Sequence, residues 1–239
     1  MLSLQIHIFN DMTKKKTKED KRRIFVTSDL WIGRNNVISI FERPFGNVSE
    51  MNNTIIERWN TTVGDDDIVF ILGNFIYSGT RAQNFLTDLK GFKVLMATEN
   101  DKRVFQIDSK LIDEVVTTSD NMYVDGLLKF YDNVGIVSDC DVFDGIIDIC
   151  EKASPEIMIL RSGIFEISQY GIVLSTYAML DWNRKDKGSI NIHGGIVETP
   201  ADIVNESRVN ARTDLWDFTP VNILDIKKVV EMKRKGGLL

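Results

Sequence analysis

The chain of 239 residues carries 29 lysines and arginines against 35 aspartates and glutamates, for a formal net charge of −6 and a pI near 5.1. With 43% hydrophobic and 27% charged residues it has an ordinary globular composition, enough for the core of one large domain, and its acidity disfavours coating nucleic acid by overall charge. No apolar run approaches the roughly 18 residues that cross a bilayer, and two cysteines, Cys140 and Cys150, suit a reduced cytoplasmic interior rather than a disulfide framework or a zinc site.

Taken in chain order, "LQIHIF" (Leu4–Phe9) alternates like a strand, and "KKKTKEDKRR" (Lys14–Arg23) is a charged surface connection. "RIFVTSD" (Arg23–Asp29) reads as a buried strand ending in a polar loop. "NVSEMNNTIIERWNTTV" (Asn47–Val63) reads as a helix. Asn47 can cap it, Glu50 follows at capping-box spacing, and Met51, Ile55, Trp59 and Val63 give it one apolar face. "DIVFILG" (Asp67–Gly73) and "FKVLMA" (Phe92–Ala97) are further buried strands. The helix "TRAQNFLTDLKG" (Thr80–Gly91) lies between them, closed by glycine. This alternation predicts an α/β layer fold with a largely parallel sheet, in which functional loops sit beyond the carboxyl ends of strands.

The middle stretch, about 104–153, reads less clearly. "DVFDGIIDICEKA" (Asp141–Ala153) predicts a helix. "EIMIL", "GIFEIS", "GIVLSTY" and "SINIHGG" then predict a second, antiparallel sheet, and "ILDIKKVVEMKRK" (Ile223–Lys235) predicts an amphipathic helix with a basic last turn. The whole chain, 1–239, reads as a single domain with an N-terminal extension, 1–22, and a middle insertion, about 104–153.

The strand-end loops, in order, carry "TSDLWIG", "ERPFGNVSEMNNTIIERWN", "LGNF", "LKGFKVLMATENDK", "LSTYAM", "NIHGGIV" and "ARTDLWDFTPV". Together they resemble the calcineurin-like metallophosphoesterase superfamily over almost the whole chain. The resemblance implies a four-layer α/β/β/α sandwich, with two facing mixed sheets and helices outside. It also implies a chemistry in which two divalent ions about 4 Å apart clamp a phosphate and activate a bridging water, while a histidine protonates the leaving group.

Matched position by position, the family's ligands are mostly replaced. Asp29 is retained. Trp31 stands at the DxH histidine, Asn74 at the bridging aspartate, and Glu99 and Asn100 at the Asn-His pair. Thr176, Gly195 and Val197 stand at the later histidines. Asp101 and His193 survive, at positions that resemble scaffold rather than ligand positions. The chain holds only two histidines, His7 and His193, so no shift of alignment restores an imidazole-rich site. Losing two dications requires shedding negative charge, which Asn74 does, while Trp31 and Val197 supply apolar volume. Trp31 also has the chemistry of a stacking platform, although cavity filling is the plainer reading.

The expectation is therefore a catalytically inactive phosphoesterase-fold protein, degenerate in its metal ligands, with no cofactor. It would act through protein partners or self-assembly as a structural component. An abundance of Asn, Lys, Asp and Ile suits an AT-rich genome, a phage's included, so the expected location is the cytoplasm, or the virion if the source is a phage. Two alternatives are a phosphoesterase with a remodelled single-metal site, where Asp29 and Glu99 hold one Mg²⁺ or Mn²⁺ ion beside Asn74 and Asn100, and a nucleotide or nucleic-acid binder without hydrolysis. Nucleic-acid contact through Lys14–Arg23 is not favoured, because acids interrupt the run.

Overall fold

A computed structural model describes residues 22–77, 82–101, 112–117, 157–161, 164–195 and 207–235. The expected strand Leu4–Phe9, the run Lys14–Lys21, the helix Asp141–Ala153, both cysteines and Val197 lie outside the described residues.

Strands β1 (Ile24–Thr27), β2 (Ile68–Ile71) and β3 (Phe92–Met96) form the parallel centre of a six-stranded sheet. Beyond β3 come β5 (Ile157–Arg161) and then β4 (Ile112–Thr117), both parallel; β10 (Val221–Asn222) pairs antiparallel with β1 at the other edge. Every residue of β1, β2 and β3 is buried, which is why these strands read as unbroken apolar runs. Lys93 is the charged exception. Its Nζ reaches the carbonyl of Leu89 at 2.7 Å, so the buried ammonium keeps a partner.

The second sheet has the order β6 (Ile164–Ile167), β7 (Ile172–Ser175), β8 (Ile190–His193), β9 (Arg208–Asn210). Its first pair is an antiparallel hairpin; the other two pairs are parallel. Two expectations are corrected here. The second sheet is mixed rather than antiparallel, and "EIMIL" belongs to the first sheet. The first has its cause in residues 176–189, which join β7 to β8 and are long enough to return the chain to the same end yet without an α-helix to announce a crossover; the second arises because an apolar run does not report which sheet it borders.

Period-two alternation sends Ile24, Val26, Phe70, Val94 and Met96 to one face of the first sheet, where they share a core with Phe165, Leu174, Ile192 and Val209 of the second. Phe70 and Phe165 meet across this interface at 5.3 Å between ring centroids. The sheets thus pack face to face. The other face of the first sheet presents Phe25, Val69, Ile71 and Leu95 to the helices.

Helix α1 (Val37–Ile40) is a single turn. Helix α2 (Val48–Thr62) buries Met51, Ile55 and Trp59 on that face. Each such side chain contributes roughly 1.5–3 kcal/mol by leaving water. Asn47 caps α2 by accepting from the Glu50 amide, as its spacing predicts, but the Glu50 carboxylate takes the amide of Gly46 rather than of Asn47. Helix α3 (Ala82–Asp88) follows β2, and α4 (Ile223–Arg234) places Ile223, Ile226, Val229 and Val230 in the inter-sheet core.

The outer face of the second sheet is covered in part by a loop. Among the described residues no α-helix covers it. The 176–189 loop lies there instead: the Met179 amide donates to Asn191 Oδ1, and Asn183 Nδ2 donates to Glu166 Oε2. No helix among the described residues is long and apolar enough to cross a membrane.

Candidate functional site

The carboxyl ends of β1, β2, β3 and β8 converge on Asp29, which is fully buried. Its Oδ1 accepts from Asn74 Nδ2 at 2.7 Å. Its Oδ2 accepts from Ser28 Oγ at 2.8 Å and from the Gly195 amide at 2.9 Å. Asn74 Oδ1 in turn accepts from Asn100 Nδ2 at 2.9 Å, so donors run from the surface inward and end on one carboxylate. Asp29, Asn74, Asn100 and Gly195, distant in sequence, are brought into one hydrogen-bonded cluster. Thr176 lies beside it, its carbonyl 3.3 Å from where a Cβ on Gly195 would stand.

Gly194 and Gly195 occupy positions that resist side chains. A Cβ on Gly194 would lie 2.5 Å from the Leu72 carbonyl. Gly195 has φ +86°, a conformation strained for L residues, and needs it to aim its amide at Asp29.

Two further residues predicted at the site stand apart. Glu99 is exposed and makes no ion pair among the described residues. Trp31 is 5% exposed, buried as expected, and belongs to the helix-side core with Leu30, Ile32 and Met51. His193 is buried, with Nδ1 2.9 Å from the Gly194 carbonyl, as suits a packed histidine.

Asp29, Trp31 and Asn74 all have positive φ, at 56°, 53° and 55°. Asn and Asp tolerate this region; a tryptophan there is an outlier that costs on the order of 1–3 kcal/mol. Neighbours enforce it. The two loops are laced together by Asp29 N to Gly73 O at 3.2 Å, Trp31 N to Asn74 O at 2.8 Å and Ile32 N to Phe75 O at 2.9 Å. Arg43 adds a clamp from beneath, with Nη2 on the Asp29 carbonyl at 2.6 Å and Nη1 on the Leu30 carbonyl at 2.9 Å. Its remaining fork is bidentate to Asp214, at 2.8 and 3.0 Å.

Arg43 and Asp214 both lie inside strand-end motifs, but 171 residues separate them and nothing in the sequence pairs them. Ser28 and Thr98 carry no signal of a role in the sequence, and Asp101 reads there only as a scaffold position. Asp101 is the other organiser: Oδ1 accepts from the Phe75 amide, and Oδ2 from the amides of Asn74 and Thr98 and from Thr98 Oγ1. A buried aspartate between two strand-end loops was the available signal.

Burial pushes the Asp29 carboxyl above its ordinary value, against the lowering pull of the Asn74, Ser28 and Gly195 hydrogen bonds and of the Arg212 charge. Of the three donors only the Gly195 amide cannot reverse; the Ser28 hydroxyl can rotate and the Asn74 amide can turn its oxygen inward to accept from a protonated Asp29.

These residues do not fit the pair of metal ions that the family resemblance implies. Both oxygens of Asp29 already accept from N–H or O–H donors, and the amide nitrogen of Asn74, not its oxygen, faces the carboxylate. Gly195 supplies a donor where a ligand would be needed. No group of three metal-type side chains occurs among the described residues.

Comparison with known proteins adds no named activity. No family model matches the chain. An uncharacterized protein of Methanocaldococcus jannaschii is 40% identical over 84 residues, covering 34% of this chain and 48% of that protein. The chain thus spans about half the length of the curated relative it matches. The crystal structure of a protein of unknown function from Aquifex aeolicus superposes with a TM-score of 0.52 at 16% identity, over 87% of this chain and 100% of that one, a likeness of fold alone.

Proposed function

We propose that this chain is a calcineurin-like phosphoesterase sandwich whose two-metal chemistry has been replaced by hydrogen bonds, and that it works as a structural or interaction component rather than as a hydrolase. The observation that carries the reading is the saturation of Asp29 by Asn74, Ser28 and Gly195. A carboxylate committed to three donors would have to break them before binding a cation. The broad arrangement of two facing sheets with strand-end loops at one edge supports the family assignment.

The working surface then lies away from Asp29. Leu180, 88% exposed, sits on the loop over the second sheet and offers apolar contact to a protein partner, whereas the exposed Tyr177 packs beside Gly195 and so borders the site. Assembly into a virion is the most specific form of this proposal. A single-ion phosphoesterase draws less support, because Glu99 is exposed while Asp29 is buried and fully engaged.

The test is hydrolysis of a generic phosphodiester with added Mn²⁺. Turnover is expected at background, since a missing acid and missing ligands remove most transition-state stabilisation. Turnover that disappears in Asp29→Ala would overturn the reading.

A further inference from the structure

The loop of residues 176–189 is fixed more firmly than a link between two strands requires. Trp182 is buried and donates from Nε1 to Ser189 Oγ at 3.0 Å, and Ser189 Oγ donates to the Asn183 carbonyl at 2.6 Å. The Met179 amide and Asn183 Nδ2 tie the loop to Asn191 and Glu166 of the sheet. Lys185 closes the turn: its Nζ donates to the Leu180 carbonyl at 2.6 Å and lies 4.8 Å from the Trp182 ring centroid. Arg184 takes φ +59°, uncommon for a residue with a side chain, and its carbonyl accepts from the amides of Lys187 and Ser189 at 3.0 Å each.

This scaffold holds out Leu180, at 88% exposure the most exposed large hydrophobic side chain among the described residues. Ordering a loop costs chain entropy, and a leucine left in water returns none of it. A side chain already held in place loses little more freedom when a partner covers it, so the order favours binding.

The surroundings of Leu180 are basic. Arg234 brings the end of α4 against the loop, with Nη1 on the Gly188 carbonyl at 3.0 Å. Residues 181–188 and 231–235 together hold six cations against three acids. Arg184, Lys187 and Lys235 are exposed, and their charged ends have no partner among the described residues. The acidity of the chain lies elsewhere: residues 104–153 hold 11 acids against 3 cations, and the remainder holds 26 cations against 24 acids.

We propose that this loop docks on a second copy of the chain, with Leu180 seated among apolar side chains of the partner and Arg184 and Lys187 facing its acids. An apolar centre with a charged rim is the anatomy of a protein contact, whereas a nucleic-acid backbone would meet the cations and leave Leu180 in water. The chain's uneven charge supplies the complement, since one copy carries both the basic loop and the acid excess. The inference rests on the reading of the chain as an interaction component and names its partner.

The test is sedimentation velocity of the full chain over a concentration series, at about 0.05 M and about 0.5 M chloride. Self-association is expected at the lower salt and is expected to weaken about tenfold or more at the higher, because exposed charge pairs are screened. Leu180→Asp, and separately Arg184→Glu with Lys187→Glu, are expected to leave a monomer, while Leu180→Met associates like the parent. These side chains are exposed, so an unchanged melting temperature reports that each variant is folded. The inference is overturned if the full chain is a monomer at the lower salt, whether or not it binds a DNA duplex there, or if either loop variant associates as well as the parent. A monomer without phosphodiesterase turnover would sink this inference alone; turnover that disappears in Asp29→Ala would sink the metal-free reading instead.

Discussion

Two buried aspartates, Asp29 and Asp101, stand in loops that face each other, and both are fully shielded from solvent. Their partners differ. Asp101 accepts from three backbone amides, those of Asn74, Phe75 and Thr98, together with one hydroxyl. Asp29 accepts from one backbone amide and two side chains. Backbone donors cannot turn away, while side chains can. Asp101 therefore sets the path of the chain, and Asp29 closes a gap between loops that are already placed by Asp101, Arg43 and the backbone lacing. A carboxylate that closes a gap can be replaced; one that sets the path cannot.

The largest expected effect follows from this contrast. Asp101→Ala strands three amides, at about 1–3 kcal/mol for each that stays buried, and should cost about 3–5 kcal/mol in urea unfolding. A loss no greater than that of Asp29→Asn would erase the distinction between the two acids.

Trp31→His is expected to cost about 2–4 kcal/mol, the range of large core truncations, because the indole fills the helix-side core in a strained backbone conformation. A variant as stable as the parent in thermal unfolding would show that the ring contributes little packing.

The smallest effect belongs to Asp29→Asn. Asparagine keeps an oxygen for Ser28 and Gly195, and the Asn74 amide can turn its oxygen inward, so stability near neutral pH should change by about 1 kcal/mol or less. The pH dependence is more telling. Burial raises the folded-state carboxyl above its unfolded value, so the folded protein holds the proton more tightly. That stabilisation is complete below the unfolded value and is lost as pH rises to the folded one, after which it stays lost. Melting temperatures of Asp29→Asn relative to the parent should therefore climb as pH is raised from the acid side and then level off. A relative decline over that window would contradict the direction of the shift.

Much of this was legible in the sequence where one element decides its own structure. The apolar runs Ile24–Thr27, Ile68–Ile71 and Phe92–Met96 are strands because both their faces are buried, and Asn47 caps α2 through local geometry alone. Sheet membership was not legible. "EIMIL" looks the same whether it borders β3 or opens a second sheet, and the helix-free link from β7 to β8 hid a parallel pairing. At the site, the residues Asp29, Asn74, Asn100 and Gly195 could be named from the family resemblance, but not the direction of their hydrogen bonds. The Arg43–Asp214 clamp depends on contacts 171 residues apart. That Trp31 supplies buried apolar volume was legible, but its place in the helix-side core goes with a positive φ that no side-chain pattern reports.

Elemental analysis of the purified full-length protein for manganese, iron, zinc and magnesium puts the central claim to its most direct test. If hydrogen bonds from Asn74, Ser28 and Gly195 have taken over the coordination of Asp29, each metal should be far substoichiometric and should stay so after incubation with Mn²⁺ and desalting. Two tightly held transition-metal ions per chain would contradict the account.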